Sequence, residues 1–271
     1  MKNAPFWIVD AFVGEHAGRA LRGNPAAVVL LDEFADDGEM QERANEFNLA
    51  ETAFVVPRGD FEFDLRWMTP QTEVDLCGHA TLAATAALFD AQRLEVGHSA
   101  RFHTRSGLLT AQVEEQRIEL DFPAHSLSAH AVPSSLAGAL GLKANQILGH
   151  WRASDDWLVR VDPDDLGRIQ PNFLKLAAFP MRGLIVTAHS RDDEADFLSR
   201  FFAPRVGVPE DPVTGSAHCA LAPFWAKRLG KTRLSAVQLS PRGGWLELET
   251  RGDRVAIAGR CQLRARGTLA P

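Results

Sequence analysis

Tyrosine is absent from this 271-residue sequence, cysteine occurs three times, and basic residues form no cluster. The missing phenol leaves the lining of any pocket to other polar groups. Cys77, Cys219 and Cys261 are odd in number and far apart, which argues against a disulfide framework and fits a reducing compartment. A formal charge of −6 without a lysine or arginine block offers no electrostatic footprint for nucleic acid or anionic lipid. No apolar run approaches the roughly 18 residues that a membrane helix needs. The opening MKNAPFWIVDAFVGE carries Asp10 and Glu15 and has no basic segment followed by a long apolar one. It does not read as a signal peptide, and a cytoplasmic location is expected. Nucleotide and metal motifs are also missing. LGKT at 229–232 has Trp225 where a phosphate loop requires glycine, no G-x-G-x-x-G occurs, and the nine histidines show no H-E-x-x-H spacing. Neither a cofactor nor a metal is therefore expected.

What remains is an ordinary globular mixture, 45% hydrophobic and 24% charged, long enough for one large domain or two of common size. Strand-like runs (FWIVDAFV, AAVVLL, TAFVV, DFEFDLRWM) alternate with a helix over 37–46 and an apolar helix ATLAATAALFDAQRL. The expected class is α+β, rich in antiparallel strands. The small, polar stretch AHSLSAHAVPSS at 124–135 is the best linker. A boundary near 128 divides the chain into an N-terminal domain, 1–127, and a C-terminal domain, 128–271.

The element order then largely repeats. TEVDLCGHATLAA and PEDPVTGSAHCAL align without gaps at an offset of 137, placing Cys77-Gly78-His79-Ala80 over Thr214-Gly215-Ser216-Ala217. Duplication is the economical explanation. Each half has a loop, a glycine and a helix apolar nearly all round, which is the pattern of a buried helix. Each half is thus expected to wrap a curved sheet around a central helix, with the two helix starts sharing a cleft. Pro223 falls inside the second helix, where a kink or early break is expected.

A helix start offers unpaired N–H groups and about half a positive charge, suited to a carboxylate or phosphate. Gly78 and Gly215 allow close backbone approach, while His79 and Ser216 add side-chain donors. Ser216 could equally be an N-cap and His79 a loop histidine. Asp211 precedes the second helix and is a candidate for gripping a cationic or hydroxyl group, or a turn-forming residue before proline. Glu73 and Asp75 read as solvated loop charges. Cys77 stands at a helix start, where a thiol pKa is lowered. A two-thiol mechanism would need a second cysteine at the mirrored position, which is Thr214. The remaining proton-transfer candidate is Glu51, in NLAET, where a helix hands over to an apolar strand. Partial burial near Leu49 and Phe54 would raise its pKa toward the range a general acid/base needs.

The segments GNPAAVV (23–29), NLAETAFV (48–55), DLCGHATLA (75–83) and EDPVTGSAH (210–218), in that order, resemble those of the phenazine-biosynthesis PhzF-like isomerase family, within the diaminopimelate epimerase fold. The likeness runs over roughly residues 5–265. It implies two pseudo-twofold related α/β domains, each a sheet curled about a central helix, an active site between them, and a homodimer. By matching motifs it implies Glu51 as acid/base, His79 and Asp211 as assisting groups, and Ser216 as a substrate ligand. Gly78 and Gly215 would hold a carboxylate, and Asn24 and Cys77 join the substrate-binding set. The expected function is a cofactor-independent isomerase moving a proton between carbons of a small, cyclic amino or hydroxy carboxylic acid, of the trans-2,3-dihydro-3-hydroxyanthranilate isomerase type. Two rivals stay open: an amino-acid racemase or epimerase using Cys77, and a non-catalytic binder of a carboxylate metabolite.

Overall fold

A computed structural model describes residues 1–115 and 117–270. In chain order the elements are β1 (Pro5–His16), β2 (Arg19–Leu21), β3 (Asn24–Leu30), α1 (Asp37–Phe47), β4 (Glu51–Gly59), β5 (Glu62–Met68), β6 (Glu73–Val74) and α2 (Gly78–Asp90). There follow β7 (Ser99–Thr104), β8 (Gly107–Val113), β9 (Ile118–Pro123), β10 (Leu127–Ala129), α3 (Ser135–Ala139), β11 (Gly149–Ala153), β12 (Asp156–Arg160), α4 (Pro163–Arg168) and α5 (Phe173–Ala177). The chain closes with β13 (Leu184–His189), β14 (Phe197–Phe202), α6 (Gly215–Leu229), β15 (Arg233–Gln238), β16 (Gly244–Arg251) and β17 (Arg254–Thr268). No described helix is long and apolar enough to cross a membrane.

The chain divides into two compact units, the first made of Met1–Gly14, Arg22–Phe122 and Ala256–Pro271, the second of Glu15–Leu21 and Pro123–Val255. This corrects a simple cut at 127/128. The C-terminal strand returns to the first unit because β17 pairs antiparallel with β1 from Pro5↔Thr268 to Val13↔Arg260. The linker assignment is corrected too: residues Leu127–Ala129 form β10, paired with β11.

In the first unit β1 pairs with β3 antiparallel, β3 with β4 parallel, β4 with β5 antiparallel, β5 with β7 parallel, and β7–β8–β9 antiparallel. β17 pairs with both β1 and β9, so the strands close on themselves. Helix α2 packs against β3, β4 and β8. Nearly all its side chains are buried, from His79 through Leu88, as its lack of a polar face demands. Helix α1 packs against β4 and β5, burying Met40 and Ala44 in a cluster with Val29, Leu31, Phe54 and Met68. It ends at Asn48, whose left-handed backbone (φ 49°) donates its N–H to the Ala44 carbonyl. Asparagine tolerates that conformation, and three residues later the chain enters β4 at Glu51.

The second unit repeats the scheme: β11–β12 antiparallel, β12–β13 parallel, β13–β14 antiparallel, β14–β15 parallel, β15–β16 antiparallel. Helix α6 lies between β14 and β15 in sequence, as α2 lies between β5 and β7, and packs against β15 and β16. The duplication legible as an offset of 137 is therefore present in strand pairing as well. Between α4 and α5 stands Pro171, which lacks an N–H and disfavours helix before it; Asn172 then caps α5 by accepting from the Lys175 N–H. Pro223 does not end α6, which runs on to Leu229. The carbonyl its missing N–H would have bonded, that of Cys219, accepts instead from the His125 N–H at 3.0 Å.

Candidate active site

Both central helices begin the same way. Cys77 and Thr214 are the N-caps, each with extended backbone and neither capping its helix with its own side chain. Gly78 and Gly215 are then the first helical residues, and His79 and Ser216 the second. Ser216 is accordingly not an N-cap, since the duplicated glycine precedes it. One turn on, Thr81 donates its hydroxyl to the Cys77 carbonyl at 2.6 Å, and His218 at the equivalent position approaches the Thr214 carbonyl through Nδ1 at 2.8 Å. These bonds lock the first turn of each helix.

In the first unit three elements converge on His79. Its Nε2 lies 3.1 Å from Glu51 Oε2, at the entrance of β4. Its Nδ1 lies 3.2 Å from Asn24 Nδ2, at the start of β3, and 3.5 Å from Cys77 Sγ. Parallel pairing of β3 and β4, with Ala26 opposite Glu51, brings Asn24 and Glu51 to the same end of the sheet. The GNP turn before β3 needs its glycine: Gly23 has φ +66°, and a Cβ there would lie 2.1 Å from the Ala11 carbonyl oxygen. Asn24 and His79 are buried, while the Glu51 side chain retains 18% exposure. The Asn24 amide is thus within hydrogen-bonding distance of Nδ1, and Nε2 is the ring nitrogen that faces Glu51. That close contact is off the line of a hydrogen bond, leaving Glu51 Oε2 and His79 Nε2 as buried polar atoms without a formal partner. Such atoms have capacity for a further group.

The electrostatics follow from this packing. Burial opposes a charged imidazole, yet Cys77 and Glu51 beside it outweigh burial, and the His79 pKa stands well above the ordinary histidine value. Burial pushes the Cys77 thiol up, the Glu51 charge adds to this, and His79 pulls it back only in part. The expectation of a lowered Cys77 pKa is thus overturned, because desolvation exceeds the pull of the helix start. Cys219 is core, with burial pushing its thiol up to about 12. Glu51, Cys77 and His79 each present a ligand atom within 4.8 Å of the others, a grouping that could accept a metal ion and that linear spacing conceals because Glu51 comes from a separate strand.

In the second unit Asp211 Oδ2 accepts from the Thr214 hydroxyl at 2.5 Å, and the buried Gln238 ties the loop together. Its Oε1 accepts from the Thr214 N–H at 3.0 Å and its Nε2 donates to the Asp211 carbonyl at 2.7 Å. Asp211 therefore has a structural role in shaping the helix start, whatever else it does. Gln238 carries no motif in sequence; it matters only because β15 ends beside this loop. Ser216 Oγ accepts from Arg182 Nη2 at 3.2 Å. Arg182, too, escaped sequence inspection. Glu73, expected as a solvated charge, is instead held by a two-bond contact from Arg66 at 2.8 and 2.7 Å, while Asp75 is exposed.

Known proteins resemble this chain along its length. The family model for phenazine biosynthesis-like proteins matches residues 9–267. An uncharacterised isomerase of Pseudomonas aeruginosa is 49% identical over 96% of each chain. One from Halalkalibacterium halodurans is 44% identical over 99% of each. A crystal structure of a phenazine biosynthesis protein of the PhzF family from Enterococcus faecalis superposes with a TM-score of 0.89 at 40% identity, covering 99% of this chain and 100% of that one.

Proposed function

The chain belongs to the phenazine biosynthesis-like family and is an isomerase with the two-domain epimerase-like fold, and from that premise we propose a cofactor-independent transfer of a proton between carbons of a small cyclic amino or hydroxy carboxylic acid. The trans-2,3-dihydro-3-hydroxyanthranilate type is the specific form of the reaction. The observation that carries this reading is the contact of Glu51 with His79, 3.1 Å apart with unused hydrogen-bonding capacity on both atoms.

Glu51 takes a proton from one carbon and returns it to another, so the step balances without an oxidant or co-reactant. His79 assists by facing the carboxylate with a polarised N–H, and Asn24 keeps the imidazole in the orientation that permits this. The charge developing on the substrate would be stabilised by N–H donors at a helix start, at about 3–4 kcal/mol for each well-placed donor. The proposed substrate ligands are Gly78 in the first unit and Asp211, Gly215 and Ser216 in the second. The raised Cys77 pKa and the threonine at its mirrored position disfavour a two-thiol racemase. A homodimer is part of the same proposal, and light scattering would check it.

The test is incubation with trans-2,3-dihydro-3-hydroxyanthranilate in deuterated water, following absorbance and deuterium uptake. Wild type should convert and exchange, and Glu51→Gln should lose turnover by about 100- to 10,000-fold while still binding. A Gln variant with normal turnover would overturn the assignment.

A further inference from the structure

Arg182 stands just before β13, which occupies in the second unit the place that β4 occupies in the first. Each is the strand paired in parallel with its predecessor, β12 or β3, and antiparallel with its successor. The entrance of β4 carries Glu51, which meets His79 at the second position of α2. The entrance of β13 carries Arg182, which meets Ser216 at the second position of α6. The third member matches as well: Asn24 starts β3 and contacts His79, while Asp156 starts β12 and contacts Arg182. The duplicated scaffold thus builds one polar trio of Asn, Glu and His, and another of Asp, Arg and Ser.

The guanidinium is held from several sides. Its Nε donates to Asp156 Oδ1 at 2.9 Å and its Nη2 bonds Asp156 Oδ2. Asp156 is buried, its side chain only 6% exposed, whereas that of Arg182 is 44% exposed. The Phe201 ring lies under the guanidinium, 5.5 Å from Cζ to ring centroid. That ring is seated where Gly183 has no side chain: a Cβ there would come within 2.2 Å of Phe201 Cζ. His125 is the other titratable group close by. Nη1 makes no hydrogen bond among the described residues. A buried carboxylate spent on orienting a half-exposed arginine is costly as a stability device, but with the Nε/Nη2 edge held by Asp156 it leaves the Nη1 N–H groups in a fixed place to donate to an anion.

We propose that Arg182, with Ser216, is a carboxylate-binding site of this isomerase, selecting small cyclic acids over their uncharged counterparts. The ligand class rests on the proton-transfer reading above; the geometry of the site does not. Arg182 acts here as a specificity residue and Asp156 as its positioning residue.

The test is calorimetric titration of benzoate and 3-hydroxyanthranilate, each against its carboxamide, into wild type and Arg182→Gln. 3-Hydroxyanthranilate is aromatic and cannot undergo the proton shift, so binding is read apart from turnover. Wild type should favour each acid over its amide, and Arg182→Gln should weaken acid binding by about 10- to 100-fold with amide binding unchanged. Arg182→Lys should recover part of the preference, since it restores the charge without the fork. Should Arg182→Gln fail to fold because Asp156 is left unpaired, Asp156→Asn/Arg182→Gln removes both charges and should show the same loss. Unchanged acid preference in the variants overturns the proposal, as does a wild type that binds no acid more tightly than its amide at millimolar concentration. Acid preference dependent on Arg182 in a protein that takes up no deuterium with trans-2,3-dihydro-3-hydroxyanthranilate would leave this site standing and sink the proton-transfer reading for that substrate.

Discussion

Lowering the pH from neutral to about 4 should weaken the second unit through His218, whose imidazole is fully buried one turn inside α6. It stacks on Phe197, its Nε2 lies 3.4 Å from Ser199 Oγ, and its Nδ1 lies 2.8 Å from the Thr214 carbonyl. Burial lowers its pKa from 6.5 to about 4, with the Thr214 carbonyl opposing. Between those values the unfolded chain binds a proton that the folded chain refuses. The contribution is therefore fully present above about pH 6.5 and is lost as pH falls through the folded value. A gap of about 2.5 pH units at roughly 1.4 kcal/mol each corresponds to about 3 kcal/mol. The assay is urea unfolding of wild type and His218→Gln across this range. Carboxylates titrate in both proteins, so the informative quantity is the stability difference between them. Wild type should lose about 3 kcal/mol relative to the variant on acidification. A difference independent of pH would refute the account of His218 as a buried neutral group. Because His218 locks the turn that carries Gly215 and Ser216, acid should also weaken carboxylate binding before global unfolding.

Two further outcomes follow from the first unit. Cys77 should react slowly with iodoacetamide at neutral pH, because burial and the Glu51 charge disfavour its thiolate; Glu51→Gln removes the second cause and should speed alkylation by about 3- to 10-fold. Equal rates in the two proteins would contradict the contact network around His79. Gly23→Ala combines a left-handed backbone with a 2.1 Å clash on the Ala11 carbonyl, and should cost about 2–4 kcal/mol in unfolding experiments. An unchanged thermal midpoint would show that the GNP turn is not the constraint that positions Asn24.

The apolar helix starts and the acid/base candidate were legible because their signals are local. A helix without a polar face must be buried, so α2 and α6 could be recognised from composition alone. Their shared glycine and the offset of 137 are plain in the sequence itself. The segment NLAET likewise marks where a helix hands over to the strand that carries Glu51. Arg182 and Asp156 were not legible, since they are 26 positions apart and neither sits in a motif; parallel pairing of β12 and β13 is what joins them. The unit boundary was misplaced for a similar reason, as β17 reaches its partner β1 across almost the entire chain.

The sequence by itself determined the element types, the duplication and the family, all of which depend on periodicity, spacing and residue identity along the chain. Tertiary structure alone decided which polar groups meet at His79 and Ser216, and how far burial bears on the Cys77 thiol. The Cys77 thiol shows why. Its position at a helix start predicts a lowered pKa, but desolvation is a sum over every neighbour packed around the sulfur, and those neighbours arrive from strands far away in sequence.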